Sequence, residues 1–288
     1  MIRKGHNSYL GVRVALATKH DKERAIGPAF RRILGAVVVV PPGIDTDQLG
    51  TFTGEIPRVG TPLQVVRKKA RLAMKASGIA RGIASEGSFG PHPATPFIAA
   101  GFETMIFIDD TRGIEITGSE LFDNTNFGQI SVSSWEEARV FLQNALFPSH
   151  RVIVSPEGSN QAAYLKKGIG RLAELKAAIQ ESVSISKSGR AKIETDMRAH
   201  MNPTRMSCLR TLAINLARRL NTKCPACGTP GWGVVDVEKG LPCESCHTPT
   251  DFVAYQIFAC LACACRQKSA RSDGKRSASA AQCPYCNP

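Results

Sequence analysis

The sequence predicts an α/β fold with a mixed sheet, followed by a small cysteine-rich module at the C-terminus. Apolar, strand-like runs alternate with amphipathic, helix-like segments from residue 12 to residue 220, a pattern typical of helices packed on a sheet. All but one of the ten cysteines follow that region. The 288 residues leave room for one large domain and a module. We therefore predict an α/β domain over residues 1–221 and a zinc-ribbon module over residues 222–288.

The first predicted elements are a strand, a helix, a second strand and a second helix. The apolar run at 12–17 predicts the first strand, and the Gly-Pro pair at 27–28 predicts an interruption in the helix that follows. The β-branched run at 36–40 predicts a buried strand. Thr61-Pro62 supplies an N-cap and an N1 proline, and Gly78 a left-handed stop, so a helix is predicted between them.

The later elements follow from alternation, capping and turn signals. A short strand at 82–84 is predicted to lead into a Glu-Gly turn that extends to Pro93. The remaining predictions, in chain order, are a strand pair at 104–109 and 114–122, a helix from the capping box at Ser134 to Phe147, a strand at 151–155, a helix at 162–182, a strand at 191–196, and a helix from Asn202-Pro203 to Leu220.

The distribution of charge indicates an anionic partner for the α/β domain. The formal net charge is +13, yet residues 222–288 hold seven Lys or Arg against five Asp or Glu. Thiolates that bind two Zn²⁺ ions would make this segment slightly acidic. The basic excess therefore belongs to residues 1–221, and the cysteine-rich segment is predicted to bind nucleic-acid backbones poorly.

No apolar run of the sequence is long enough for a membrane-spanning helix, which takes roughly 20 residues. The basic residues at the start of the chain have no apolar segment behind them, so we expect no signal peptide. The expectation that follows is a cytoplasmic protein without membrane contact.

Eight cysteines form four Cys-x-x-Cys pairs, whose spacing is typical of structural zinc sites. Two residues between thiolates let one tight turn present both sulfurs to a tetrahedral metal at ~2.3 Å. Neighbouring pairs can share an ion, or the pairs can interleave in a cross-braced arrangement. Cys265 is an alternative to Cys263, and Cys208 is predicted to be a buried apolar residue. The predicted ligands are Cys224, Cys227, Cys243, Cys246, Cys260, Cys263, Cys283 and Cys286.

A cation-rich helix followed by a carboxylate at a strand end is the main functional signal. Residues 56–85 hold seven Lys or Arg and no acidic residue, whereas a solvated helix face usually mixes the two signs. Lys69 lies in this helix, and Glu86 follows the next strand. Cations bind phosphate oxygens, and a carboxylate binds the divalent metal that neutralises them. The alternative is a basic surface helix beside a structural turn.

Several short motifs within residues 8–220 resemble the inosine/xanthosine triphosphatase (ITPase) family, with the Maf-like proteins as wider kin. The motifs are ATKHDKERAI at 17–26, RKKAR at 67–71, ASEGS at 84–88 and the Arg-containing turn at 197–205. The phrases ATKHDKERAI, ASEGSFGPHP and ETDMRAHMNPTR resemble still more closely a bacterial family that joins such a domain to a Cys-rich C-terminus.

This resemblance implies an ITPase-like sheet with flanking helices and a cleft between two lobes. It also implies a metal-dependent nucleotide pyrophosphatase, a hydrolase that acts on a non-standard or modified nucleoside triphosphate. The implied catalytic residues are Glu86, Asp47 and Lys69; the phosphate-binding residues are Thr18, Lys19, Lys22 and Lys69; the Mg²⁺ ligands are Glu86 with Asp45, Asp47 or Glu55; and the base-binding residues are Ser88, Phe89, His92, Arg198 and Arg205.

Several of these residues have a structural alternative. Phe89 in its Gly-Pro turn can fill the local core, and His92 between prolines can satisfy backbone groups. Asp45 and Asp47 can be turn residues. The two candidate arginines can form a solvated stripe with Arg210.

Two other function classes stay open. The same fold can be a non-enzymatic nucleotide-binding or nucleic-acid-binding module, which the total charge favours and the near-neutral cysteine-rich segment opposes. The apolar residues Trp232, Phe252, Tyr255 and Phe258 can also give that segment a protein-binding or homodimer surface. The expected ligand is a nucleotide, and the expected cofactors are two structural Zn²⁺ ions and a catalytic Mg²⁺.

Overall fold

The computed structural model describes residues 8–50, 60–159 and 162–288. The chain forms two compact units, with Tyr9–Leu216 in one and Ala217–Pro288 in the other. The predicted α/β class is confirmed, because the described residues form three sheets and five helices in a mixed order. In these ranges no helix combines the length and the apolar character needed to cross a membrane.

The first sheet of the Tyr9–Leu216 unit has five strands. They are β1 (Arg13–Leu16), β2 (Val37–Val39), β3 (Arg81–Pro91), β4 (Ala99–Asp109) and β5 (Ile114–Phe122). Their order in the sheet is β2-β1-β3-β4-β5. β2, β1 and β3 are parallel, and β4 and β5 extend the sheet as antiparallel neighbours. The sheet is therefore mixed, as the sequence predicts.

Two helices cover opposite faces of this sheet. α1 (Glu23–Leu34) places Phe30 against Phe107, with ring centroids 6.1 Å apart. α2 (Pro62–Ser77) packs instead on a core cluster that contains Ile106 and Ile108. Because successive residues of a strand point to opposite faces, α1 and α2 lie on opposite sides of β4.

α2 begins and ends at the predicted signals. Thr61 and Gln64 form a capping box, Pro62 is the first helical residue, and Gly78 ends the helix with a φ of 66°. The buried face of α2 is apolar except at one position, Lys69. The fold therefore directs a lysine from this helix toward the sheet.

The second sheet of the same unit is antiparallel. Its strands are β6 (Gln129–Val132), β7 (Val152–Pro156), β8 (Lys166–Ile169) and β9 (Ala191–Thr195), in the order β6-β9-β7-β8. α3 (Arg139–Asn144) and α4 (Leu172–Ile185) pack on it through a shared apolar core. α5 (Pro203–Asn221) follows, and its residues up to Leu216 belong to this unit.

The Ala217–Pro288 unit contains a three-stranded antiparallel sheet. Its strands are β10 (Gly233–Lys239), β11 (Val253–Ala259) and β12 (Arg266–Ala270), with β11 in the centre. Trp232 stacks on Phe258 at 6.2 Å between ring centroids. Few other apolar side chains of this unit are buried, so the sheet has only a small core of its own.

Two predicted boundaries near the first sheet are wrong. α1 runs through Pro28, since a proline removes only one backbone bond and the helix buries an apolar face that includes Ile26 and Phe30. β3 spans 11 residues rather than three, so Glu86 lies inside a strand and not in a turn. β4 pairs with β3 over this whole length, and that partner holds a Gly- and Ser-containing run extended against its low strand propensity.

Two predicted helices in the second half of the α/β region are shorter than expected. The helix predicted at 162–182 begins only at Leu172, because the preceding segment forms β8 and Gly168 has a φ of 76°. The helix predicted from Ser134 is reduced to α3, and the residue bonded to Glu137 is Ser133 rather than Ser134.

The close approach of α2 to β3 leads to a stability prediction. A Cβ at Gly82 would lie 2.6 Å from Met74 Cγ and 3.0 Å from the Ala70 carbonyl oxygen. We expect Gly82→Ala to lower the free energy of unfolding by about 1–3 kcal/mol, measured by urea denaturation. The matched control is Gly90→Ala in the same strand, where a Cβ meets no atom within 4 Å. Equal stability of the two variants would contradict the packing described.

Candidate functional site

The candidate site is a pocket at the carboxyl end of β1, where that strand stops and β3 continues. β1 pairs with β3 at Gly82 and Ile83. From β1 the chain passes through α1 to β2 on one side, then through α2 to β3 on the other. In open α/β sheets, ligands bind in the crevice at such a divergence. The walls of this pocket include Thr18, Lys19, Lys22, Lys69, Ser85 and Glu86.

Lys69 and Glu86 form a buried ion pair on the α2 face of the sheet. Lys69 Nζ lies 2.5 Å from Glu86 Oε2, and the two residues are 8% and 3% exposed. The structure thus brings together the two residues that carry the main functional signal of the sequence. Removing either partner from a buried pair leaves an unpaired charge, which costs several kcal/mol.

Lys22 lies in the same pocket on the α1 side. It is buried, and its Nζ donates to the carbonyl oxygen of Ser85 at 2.8 Å and to Ser85 Oγ at 3.0 Å. Burial, together with the positive charge of Arg205, lowers the pKa of Lys22 to about 7. Ser85 can accept these bonds at the edge of β3 because β1 has already ended.

A second buried ion pair joins β4 to α5. Arg205 Nε lies 2.5 Å from Glu103 Oε1, and the guanidinium also donates to the Met197 carbonyl. Gly87 faces Glu103 across the β3–β4 ladder. A Cβ at Gly87 would lie 2.6 Å from Arg205 Nη2, so this position requires glycine. The predicted solvated stripe is therefore wrong for Arg205, which is 1% exposed.

The residues at the mouth of the pocket differ in exposure. Lys19 pairs with Asp45 at 3.1 Å, and both side chains are nearly half exposed. Thr18 is buried, and its Oγ1 accepts from the backbone N–H groups of His20 and Lys22 at the start of α1. With the Lys19–Asp45 and Lys69–Glu86 pairs formed, the cavity measures about 20 Å³, which is room for about one water molecule.

The predicted Mg²⁺ ligands are only partly brought together. The carboxylates of Glu86 and Asp45 each bind a lysine. Glu55 lies outside the described residues, and so does the side chain of Asp47, whose backbone belongs to a short 3-10 helix. Among the described residues, the groups of His, Cys, Asp and Glu that can hold a metal are all cysteines. Mg²⁺ thus has no assembled ligand set in this part of the chain.

The predicted base-binding residues do not line this pocket. Ser88 and Phe89 line a separate groove of about 270 Å³ with Phe102 and Leu121. The Phe89 ring is covered by the Arg205 guanidinium at 5.2 Å and stacks on Phe127 at 6.1 Å. These contacts match the alternative role of Phe89 as a local core residue.

His92 and Arg198 are engaged elsewhere. His92 Nδ1 accepts from the backbone N–H groups of Ala94 and Thr95 at 3.2 and 3.1 Å, so it organises the hairpin between β3 and β4. Arg198 forms a two-pronged contact with Asp196, at 2.9 Å from Nε and 2.6 Å from Nη2. Both residues therefore have structural partners.

Sequence reasoning missed three contacts. Glu103 forms an ion pair with Arg205, Ser85 accepts from Lys22, and His20 stacks on His200 with ring centroids 5.0 Å apart. An acidic residue just before the apolar run at 105–108 was the one available signal for Glu103. The other two contacts join residues more than sixty positions apart, and no local sequence pattern indicates them.

The Ala217–Pro288 unit holds two cysteine tetrads. The ligand atoms of each tetrad lie within 4.8 Å of one another. Four Sγ–Sγ distances are 3.6–3.9 Å, close to the ~3.8 Å edge of a tetrahedron with ~2.3 Å zinc–sulfur bonds. These residues could bind Zn²⁺, and an ion held by four thiolates would have no open position, so its role would be structural. The tetrads are Cys224, Cys227, Cys260 and Cys263, and Cys243, Cys246, Cys283 and Cys286.

The pairing is therefore cross-braced: the first Cys pair joins the third, and the second joins the fourth. Cys263 rather than Cys265 completes its tetrad. Cys208 lies outside both tetrads and is partly exposed rather than fully buried.

The first two Cys pairs form matching turns. Gly228 and His247 occupy equivalent positions with φ of 74° and 59°, and each donates its N–H to the carbonyl of the first cysteine of its turn. The parallel runs CPACGTP and CESCHTP carry this repeat in the sequence.

The fold and these sites define a mixed α/β protein with a buried, lysine-lined pocket and two zinc-type cysteine tetrads. Residues 69–288 match the family described as a domain of unknown function, DUF6671, and the chain belongs to that family. The match includes Lys69, Glu86 and all eight tetrad cysteines. Comparison with curated proteins and with solved structures gave no match.

The buried Glu103–Arg205 pair leads to a second stability prediction. We expect Arg205→Met to lower the free energy of unfolding by about 3–5 kcal/mol, because it leaves the Glu103 carboxylate buried without its partner. The control is Arg67→Met, which breaks the more exposed pair with Glu115 and is expected to cost about 1 kcal/mol or less. Thermal and urea unfolding measure both effects, and a similar small cost for the two would contradict the prediction.

The cross-braced pairing is tested by the zinc content of two double variants. Cys224→Ser with Cys260→Ser removes two ligands of one tetrad, so one of about two ions should be lost. Cys224→Ser with Cys243→Ser removes one ligand from each tetrad, so both ions should be weakened. Elemental analysis after mild chelation measures the ratio. Sequential pairing predicts the opposite result, with one ion lost in the second variant and both weakened in the first.

Proposed function

We propose that the Tyr9–Leu216 unit binds the polyphosphate of a nucleotide in the β1–β3 pocket and hydrolyses it, as a pyrophosphatase of non-standard or modified nucleoside triphosphates. The observation that carries this proposal is the buried Lys69–Glu86 pair in a pocket whose other polar walls supply cations. A charged pair is costly to bury, and the divergence of β1 and β3 is the usual ligand position of such sheets.

The pocket suits phosphate groups in particular. Lys19, Lys22 and Lys69 approach it from the α1 loop and from α2. The N-terminus of α1 also opens near it, and a helix N-terminus favours anions. A polyphosphate presents several anionic oxygens in sequence, which matches lysines placed along one crevice.

Ligand entry would require an exchange of ion-pair partners. The cavity of about 20 Å³ is too small for a triphosphate while Lys69 holds Glu86. We infer that Lys69 turns to a phosphate oxygen, and that Glu86 turns to the Mg²⁺ that accompanies the nucleotide as part of the substrate. Each buried charge then keeps a counter-charge, so the exchange avoids the cost of an unpaired ion.

The proposed reaction is attack of water on a phosphorus atom, with release of pyrophosphate and a nucleoside monophosphate. Lysines positioned on the phosphate oxygens offset the charge that develops in the transition state. Glu86 is the carboxylate that lines the pocket with them and is the candidate to orient the water or the metal. Asp47 remains a candidate for the same roles.

A nucleotide-binding protein without turnover is the second candidate. Glu86 and Asp45 already have lysine partners, so the described residues offer no assembled pair of carboxylates for a metal. A sensor of this kind would bind the polyphosphate through the same lysines. Binding of nucleic acid is less favoured, because the basic excess lies outside the cysteine-rich segment.

The proposal predicts different effects for the two members of the buried pair. Lys69→Met should weaken tripolyphosphate binding at least about tenfold, since a buried charge-assisted contact contributes about 1.5–3 kcal/mol. Glu86→Gln should retain binding but reduce Mg²⁺-dependent pyrophosphate release about 100-fold or more. Calorimetry measures the first effect, and a release assay on a panel that includes inosine and xanthosine triphosphates measures the second.

Lys68→Met is the matched control, because Lys68 is the exposed neighbour of Lys69 on α2. It should change neither measurement more than about twofold. Binding without release in the wild-type protein would favour the sensor. Absence of binding by the folded, zinc-loaded protein would overturn both candidates.

A further inference from the structure

Lys22 is the one buried lysine of the pocket whose described bonds all go to uncharged atoms. Its Nζ donates to Ser85 O and Ser85 Oγ. Lys69 and Arg205, in contrast, each contact a carboxylate directly. Lys22 is 6% exposed, so water offers little compensation.

The hydrogen-bond count fits the uncharged form of this amine. A neutral lysine amine has two N–H groups and one lone pair, whereas the protonated form has three N–H groups. Within the described residues, Nζ makes two hydrogen bonds. Both N–H groups of the neutral amine are therefore satisfied, and protonation would convert its lone pair into a third buried donor that needs a new acceptor.

The charges around Lys22 also favour its uncharged form. The charged groups that face Lys22 are Arg205 on α5, Glu103 on β4, Lys69 on α2 and Glu86 on β3. These four form two ion pairs and neutralise one another. A protonated Lys22 would add one uncompensated positive charge to the interior. Its pKa of about 7, set mainly by burial, agrees with this geometry.

We propose that Lys22 forms a proton-coupled anion site, in which an anionic oxygen of the ligand binds at the third position of Nζ while the amine takes up one proton. This inference rests on the proposed function, because the anion is taken to be a phosphate oxygen of the nucleotide. The new N–H donates to that oxygen, and the bound anion supplies the counter-charge that the empty pocket lacks.

The coupling gives the pocket a characteristic pH dependence. Below about pH 7 the Lys22 amine of the free protein is already protonated, so its protonation causes no change of affinity with pH. Above that value each bound ligand must bring in a proton, and affinity falls about tenfold per pH unit. Burial lowers the pKa of His200, which stacks on the pocket residue His20, below its ordinary value, so His200 contributes little above about pH 8.

Calorimetric titration of the full-length, zinc-loaded protein with tripolyphosphate tests the proposal. At about pH 8.5, the binding heat is compared in two buffers with different heats of ionisation, which gives the number of protons taken up. Because the terminal phosphates of tripolyphosphate can themselves release protons on binding, the uptake by residue 22 is the difference between a protein and its Lys22→Arg variant. We expect the wild type and the Lys68→Met control to take up about one proton per ligand more than Lys22→Arg, which should still bind, since a guanidinium is charged at every pH used.

Each outcome decides the inference. Binding in which the wild type and Lys22→Arg differ by less than about 0.2 proton would assign any uptake to another group, overturn the inference and leave the proposed function standing. No binding by the folded wild type would remove the proposed function and this inference together. Should the arginine variant not fold, NMR titration of lysine side chains in the wild type answers the same question, with Lys22 expected neutral when free and charged when tripolyphosphate is bound.

Discussion

The early end of β1 is the constraint on which the candidate site depends. β1 stops after four residues while β3 continues to Pro91, so a length of the β3 edge loses its neighbour. That edge is where Lys22 finds the oxygens of Ser85. α1 and α2 lie on opposite faces of the sheet, and the segments that contain them place Lys22 and Lys69 beside this edge of β3. A longer β1 would close the crevice and leave both lysines without a position.

The two buried ion pairs have different surroundings. The Glu103–Arg205 pair joins β4 to α5, and Gly87 leaves the space in which the two side chains meet. The Lys69–Glu86 pair borders a cavity and lies beside a lysine that lacks a carboxylate. The Glu103–Arg205 pair therefore suits a structural role, in which it connects β4 to α5. The Lys69–Glu86 pair instead lies where a ligand can replace one partner of the pair.

Much of the framework could be predicted from the sequence, because local signals determine it. Thr61-Pro62 and Gly78 gave the bounds of α2, and the Cys-x-x-Cys spacing gave the eight tetrad residues. The length of β3 and the strand β8 could not be predicted, since pairing with a distant strand overrides weak local propensity there. Lys69 and Glu86 were recognised by their charge. Glu103, Ser85 and the sulfur pairing depend on which segments meet in space, and a single sequence carries little of that information.

The interleaved cysteines also fix an order of events during biosynthesis. The chain is made from its N-terminus, so Cys224 and Cys227 precede Cys260 and Cys263, which share their tetrad, by a few seconds at about 5–20 residues per second. The same delay separates Cys243 and Cys246 from Cys283 and Cys286. Each tetrad is therefore complete only when its second Cys pair has been made, and until then the first pair is an incomplete site whose thiols can be oxidised.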